Sequence, residues 1–280
     1  MTKHTPIQKP GSLLERAAEM YGFGRDLRDS PNLQMGQGQV SGQVAGYGVG
    51  HAAGSPHNPA YEQGLRDSIR TVREPRGPVY PIDRDMLRRS NHIVPEDPVN
   101  GLAEEFRIVK RQLLLAARGG KGYEPVPHGE RILVCSANPN EGKTFCATNL
   151  ALSIASEKDN RVLLIDADFA KADIPPVLGL PQSAGFMDAL ADSSLEIEDL
   201  ILDTDIDGLS VLPAGSVNRD DTELLASART ERLLDKLTRS DPARIIIFDS
   251  PPALAASPAS VLALNVGQVV MVVRADKTND

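Results

Sequence analysis

Tryptophan is absent, and aromatic residues make up only 4 % of the 280, so any core must be packed from aliphatic side chains. Cysteine is nearly absent too. Cys135 and Cys146 are the only two and do not form a C-x-x-C pair, which excludes a disulfide scaffold or a dithiol redox centre and suits small core residues in a reducing compartment. The five histidines are scattered without metal-ligand spacing. No apolar run reaches the roughly 18 residues of a membrane span, and the N-terminus lacks the apolar stretch of a secretory leader. A cytoplasmic protein is expected. Positive charge is in deficit: 30 Lys and Arg stand against 38 Asp and Glu, giving a net charge of −8. That balance argues against nucleic acid as a partner.

What is present is concentrated in Arg131 to Ala151, RILVCSANPNEGKTFCATNLA. Ile132 to Cys135 has the length and β-branched character of a buried strand. A turn-rich stretch, Ser136 to Gly142, leads into Lys143, Thr144 and a helical pattern that includes Phe145, Leu150, Leu152 and Ile154. Strand, loop, Gly-Lys-Thr and helix are the parts of a P-loop, in which backbone N–H groups and a helix N-terminus face phosphate oxygens. Lys143 is placed to bridge the β- and γ-phosphates, and the Thr144 hydroxyl to reach Mg²⁺. Ala137 stands where the first glycine of the motif belongs, and Asn140 lies mid-loop where glycine is common. The context outweighs those departures. Two further apolar runs end in carboxylates: VLLIDAD, Val162 to Asp168, and IIIFDSPP, Ile245 to Pro252, which carries Asp249. Buried parallel strands that end in Asp deliver carboxylates to a metal at a phosphate site.

Along the chain, Ser12 to Tyr21 reads as a short amphipathic helix with a Ser12/Glu15 capping box. Residues 24–99 are rich in Gly, then in Arg, Pro and Asp, without periodicity, and read as a flexible linker. Asn100 to Arg118 reads as a helix capped by Asn100, ended by Gly119-Gly120, with an apolar stripe of Leu102, Phe106, Val109 and Leu113. Asp221 to Thr238 reads as one long helix, Ser257-Pro258 as a helix start, and Gln268 to Arg274 as a last strand. Strands alternating with helices predict an α/β fold, a doubly wound, mainly parallel sheet of P-loop NTPase type over residues 100–280, preceded by an N-terminal helix over 1–23 and the linker.

From about Leu102 to Lys277 these motifs resemble the cytoplasmic P-loop domain of bacterial tyrosine kinases (BY-kinases). The resemblance rests on Pro139-Asn140-Glu141-Gly142-Lys143-Thr144, Asn149-Leu150-Ala151, Leu163 to Asp168, Glu223-Leu224-Leu225 and Asp249-Ser250-Pro251-Pro252. Phe106 to Arg111, Gly142 to Phe145, Thr222 to Ser227 and Val266 to Gln268 are similar to the subset associated with exosortase systems. The resemblance implies a protein-tyrosine (auto)kinase that uses ATP and Mg²⁺ and regulates exopolysaccharide synthesis and export. It implies nucleotide contacts from Asn138, Pro139, Asn140, Glu141, Gly142, Lys143, Thr144 and Phe145. Thr144, Asp166 and Asp249 would hold Mg²⁺. Lys143, Asp166 and Asp168 would carry catalysis, with Asp168 nearest the acceptor hydroxyl. Glu104, Arg107 and Lys110 resemble an oligomerisation row, which implies a homo-oligomer. A membrane-embedded polysaccharide chain-length determinant is the implied partner, holding the chain at the inner membrane. Lys171-Ala172 departs from the subset's Arg-Pro, and the family's tyrosine-rich tail is not among these 280 residues. A partitioning-type ATPase of the same superfamily is disfavoured by Asn138, where those proteins carry lysine. A non-catalytic ATP-binding regulator of export is the other alternative.

Overall fold

The computed structural model describes residues 75, 77–120, 122–216, 221–254, 257–275 and 278. The expected N-terminal helix and residues 24–74 of the expected linker lie outside them. Seven strands form one sheet in the order β1-β4-β5-β3-β6-β2-β7. They are β1 (Val79–Tyr80), β2 (Arg131–Ser136), β3 (Arg161–Asp166), β4 (Leu202–Thr204), β5 (Leu209–Leu212), β6 (Arg244–Asp249) and β7 (Gln268–Val272). Every neighbouring pair is parallel except β4 and β5, which run antiparallel.

The central strands are buried along their length except at Arg161, the first residue of β3, which is why their sequences are continuous apolar runs instead of alternating ones. Successive side chains still point to opposite faces. Ile132, Val134, Val162, Leu164, Ile245 and Ile247 face one layer, whereas Leu133, Leu163, Ile165, Ile246 and Phe248 face the other. The first layer holds α1 (Arg84–Arg89), α2 (Gly101–Arg118), α3 (Lys143–Ala155) and α4 (Ile174–Leu178). The second holds α5 (Phe186–Ala191), a 3₁₀ turn at Ile197–Leu200, α6 (Asp221–Leu225), α7 (Ala228–Ser240) and α8 (Pro258–Ala263). Because both faces are covered, α3 is packed on almost every side, and ten of its residues from Lys143 to Ala155 are buried.

Two expectations need correction. The expected linker does not extend to residue 99. β1 pairs with β4, α1 follows it, and Ile82, Leu87, Ile93 and Val94 are buried in the core. These elements are too short for periodicity to reveal and are fixed from far along the chain. The Ile82 N–H donates to Asp205 Oδ1 at 2.9 Å, and Arg84 pairs with the same carboxylate at 2.5 Å. The helix expected over Asp221 to Thr238 is two, α6 and α7, broken where the Ser227 hydroxyl donates to the Leu224 carbonyl at 2.6 Å, a local bond that competes with the helix ladder.

The helix at Asn100 is as expected: its side chain accepts from the Ala103 N–H at 2.9 Å, and Gly119, with φ 71°, ends it. Its apolar stripe is shifted. Leu102, Ala103, Phe106, Leu113, Leu114 and Ala117 pack on the core, whereas Ile108 and Val109 are exposed.

Candidate nucleotide site

The carboxyl ends of β2, β3 and β6 lie side by side, with Asp166 and Asp249 in register. The loop from Ser136 to Gly142 rises beside them. The Ser136 hydroxyl donates to the Asn138 carbonyl at 2.8 Å. Glu141 accepts from the Asn138 backbone N–H at 2.8 Å and from its side-chain amide at 3.2 Å, which closes the loop on itself. The Asn138 N–H, helped by the Thr278 hydroxyl, holds the Glu141 carboxyl below its usual range. Asn140 and Gly142 both have positive φ, 62° and 100°. Asparagine is among the few non-glycine residues that adopt this region readily, so the change from glycine at 140 keeps the loop path.

Helix α3 starts directly after Gly142, which supplies no side-chain cap. The first N–H groups of a helix have no partners within it, and its N-terminus carries partial positive charge, so this end suits an anion. Lys143 is buried in the first turn, and its Nζ lies 2.8 Å from Asp168 Oδ2, with both side chains less than a tenth exposed. Asp166 accepts from the Asp168 N–H at 3.2 Å and from the Ile174 N–H at 3.1 Å, which fixes the segment between β3 and α4.

Asp249 is different. It is fully buried, and neither carboxylate oxygen receives a well-aligned hydrogen bond, although the Thr144 hydroxyl is close enough to favour the charged form. Burial raises its carboxyl to about 7, with Asp168 and Asp173 adding to the rise and Thr144 and Lys143 opposing it. Burial, then the neighbouring Asp249, raises Asp166 to about 8. Three carboxylates and one ammonium in a water-poor pocket are short of positive charge, and an orphaned buried carboxylate beside a hydroxyl fits a divalent cation. Among the described residues no three His, Cys, Asp or Glu side chains converge to hold a metal by themselves. The remaining ligands would therefore be the Thr144 hydroxyl, phosphate oxygens and water, the usual habit of Mg²⁺.

Most of the residues expected at the site are brought together here. Asn138, Pro139 and Asn140 are exposed on the loop, while Glu141, Lys143, Asp166, Asp168 and Asp249 are buried around it. Phe145 points elsewhere. Its ring packs on the imidazole of His92 at a centroid distance of 4.8 Å, leaving its backbone N–H as the group available to an anion. Asn149 joins the same contact: it donates to the Phe145 carbonyl at 2.9 Å and accepts from the Ile93 N–H at 2.7 Å. Residues 92 and 93 thus brace the first turn of α3, a role no local pattern in that stretch reveals. The Glu104, Arg107 and Lys110 row is split. Glu104 and Arg107 pair with each other at 2.9 Å on the exposed face. Lys110 turns inward to the Ser153 carbonyl at 2.7 Å and Glu157 at 3.0 Å, fastening α2 to α3.

Comparison with known proteins gives the family and the fold. Residues 131–277 match the model of a family described as AAA domain. A putative tyrosine-protein kinase, EpsB, of Ralstonia nicotianae is 30% identical over 186 residues, 66% of this chain and 23% of the relative. The tyrosine-protein kinase wzc of Salmonella typhimurium is 29% identical over 213 residues, 76% of this chain and 27% of the relative. The chain thus spans about a quarter of the length of these relatives. Among solved structures, the chimerical protein CapA2B2 matches with a TM-score of 0.59 at 27% identity, covering 72% of this chain and 83% of that one. The kinase domain of Escherichia coli tyrosine kinase ETK matches with a TM-score of 0.55 at 25% identity, covering 69% and 75%. The chain belongs to the AAA domain family, and its relatives in sequence and fold are bacterial tyrosine kinases.

Proposed function

We propose that this chain binds ATP with Mg²⁺ and transfers the γ-phosphoryl group to tyrosine, as part of a system that makes and exports an exopolysaccharide. The observation that carries the proposal is the Lys143–Asp168 pair, set between an uncapped helix N-terminus and the orphaned Asp249. Phosphoryl transfer depends on positioning and charge neutralisation, and each residue here has such a part. The loop N–H groups and Lys143 take the phosphates. Thr144, Asp166 and Asp249 would hold Mg²⁺, which would supply neutralisation of the phosphate charge when bound. When Lys143 turns to phosphate, the Asp168 carboxylate is released to orient the tyrosine hydroxyl and accept its proton. The exposed face of α2, with Ile108 and Val109 beside Glu104 and Arg107, is the surface for homo-oligomer assembly. A membrane-embedded chain-length determinant would hold the assembly on the cytoplasmic side of the inner membrane.

The test is to incubate the protein with ATP, Mg²⁺ and a tyrosine-rich peptide and to map phosphotyrosine by mass spectrometry. Asp168→Asn keeps the shape but removes the base. ATP affinity should be retained or improved, because Lys143 is freed, while transfer falls by about 10²-fold or more. A wild type that binds ATP yet phosphorylates neither itself nor the peptide would leave a nucleotide-binding regulator of export as the function.

A further inference from the structure

We infer that Tyr123 is an acceptor tyrosine of this chain, phosphorylated by the active site of a second copy. The inference rests on the kinase function proposed above and names one of its substrates.

The described residues contain two tyrosines. Tyr80 lies in β1 and packs against the core, whereas Tyr123 is 64% exposed. Tyr123 sits just after α2 in a tight turn. Its N–H donates to the Gly120 carbonyl at 3.0 Å, and its carbonyl accepts from the Gly120 N–H at 3.1 Å. Glycine makes that turn possible. Gly119 and Gly122 have φ of 71° and 86°, and a Cβ on Gly119 would lie 2.8 Å from the Tyr123 carbonyl oxygen. Both backbone groups are satisfied inside the turn, and the side chain is left largely exposed.

The turn is at the wrong end of the molecule for its own active site. The last turn of α2 is fastened beside the amino ends of the central strands: Arg118 donates to the Ala243 carbonyl at 2.8 Å, next to the start of β6, and to Asn160 at 3.2 Å, next to the start of β3. Lys143, Asp168 and Asp249 lie at the carboxyl ends of the same strands. Six residues of strand separate the two ends, roughly 20 Å at the usual rise per residue. The phenol cannot cover that distance while Gly120 holds its backbone, so the donor is another copy.

The transfer balances simply. The Tyr123 phenolic oxygen forms a bond to the γ-phosphorus of ATP, the bond from that phosphorus to the β–γ bridging oxygen breaks, ADP leaves, and the phenolic proton passes to the Asp168 carboxylate of the donor copy.

The experiment mixes two full-length variants. Lys143→Ala, unable to use ATP, serves as acceptor; Tyr123→Phe, with an intact site, serves as donor. A tyrosine-rich peptide is included, and phosphate is mapped by mass spectrometry after ATP and Mg²⁺ are added. Phosphate on Tyr123 of the Lys143→Ala chain is the expected result, together with its loss when the donor carries Asp168→Asn. Phosphate on the peptide, or on tyrosines before residue 75, with none on Tyr123 would overturn this inference and leave the kinase function standing. Peptide and protein both unmodified would overturn the kinase function itself. Phosphate on Tyr123 of wild type, with none on Tyr123 of the Lys143→Ala chain after it is mixed with the donor, would overturn transfer between copies.

Discussion

Asp249 shows how a site can withhold stability from the protein that builds it. A carboxyl in water-poor surroundings without a hydrogen bond resists ionisation, and here the folded value is about 7 against 3.8 for the free side chain. The folded chain therefore binds that proton more tightly than the unfolded chain does. Stability from this group is fully present below about pH 4, falls as pH rises towards 7, and is level above that. Asp166, raised to about 8, acts in the same direction, and the two titrate as a pair. Asp249→Asn should therefore stabilise the nucleotide-free protein, by about 2 kcal/mol or several degrees of melting temperature at pH 8. The gain should shrink at pH 5, and Mg²⁺-dependent nucleotide binding should weaken. Thermal melts at the two pH values check this; equal shifts at both would mean that the carboxyl is not strained.

At the scale of elements, α2 has two faces with different duties. Lys110 is an internal fastener to α3, and Arg107 is a half-exposed surface group. Lys110→Ala should cost roughly 1–3 kcal/mol, because the Ser153 carbonyl loses a charged donor in a buried place. Arg107→Glu should change stability by less than about 0.5 kcal/mol. If the outer face of α2 joins copies, Arg107→Glu should also shift the protein towards monomer in light scattering. Urea titration and light scattering on both variants separate fold from assembly. Helix α3 is the shared anchor in both cases, since Lys110, Asn149 and the His92–Phe145 contact all end on it. The brace at residues 92 and 93 and the Lys110 contacts both end beside α3, so the outer helix and the phosphate loop are parts of one packed unit.

At the scale of the whole sheet, the central strands begin with arginines that are each neutralised in place. Arg131, Arg161 and Arg244 open β2, β3 and β6, and each pairs with a carboxylate: Asp235 at 2.6 Å, Asp241 at 2.5 Å and Glu198 at 2.7 Å. Asp166 and Asp249 close β3 and β6 at the other end. The Arg244–Glu198 pair is the most buried, with both side chains 2% exposed. Arg244→Met should destabilise the chain by about 3–5 kcal/mol, because Glu198 is left buried without its cation. Pairing it with Glu198→Leu should recover much of the loss. ATP affinity, measured by calorimetry at the far end, should be unchanged in whichever variants fold. A loss of affinity equal to that of a site variant would show that the two ends of the sheet are coupled.

The amino-acid sequence by itself determined the three buried strands, the aspartates that close two of them, the Gly-Lys-Thr turn and the helix behind it, because each is a contiguous run whose composition reports its own environment. It also determined both caps of α2, which depend on residues within four positions. Only the tertiary structure decided the rest. The strand at 79–80 and the helix at 84–89 are too short to stand alone and exist because Asp205, over a hundred residues away, receives Ile82 and Arg84. Lys110 was legible as a charge in a row but not as a buried one, since its partners lie on another helix. Phe145 followed the motif in sequence, yet its ring is claimed by His92. Periodicity and motif spacing record short-range constraints; the direction a side chain finally takes is set by which distant group satisfies its charge or covers its surface.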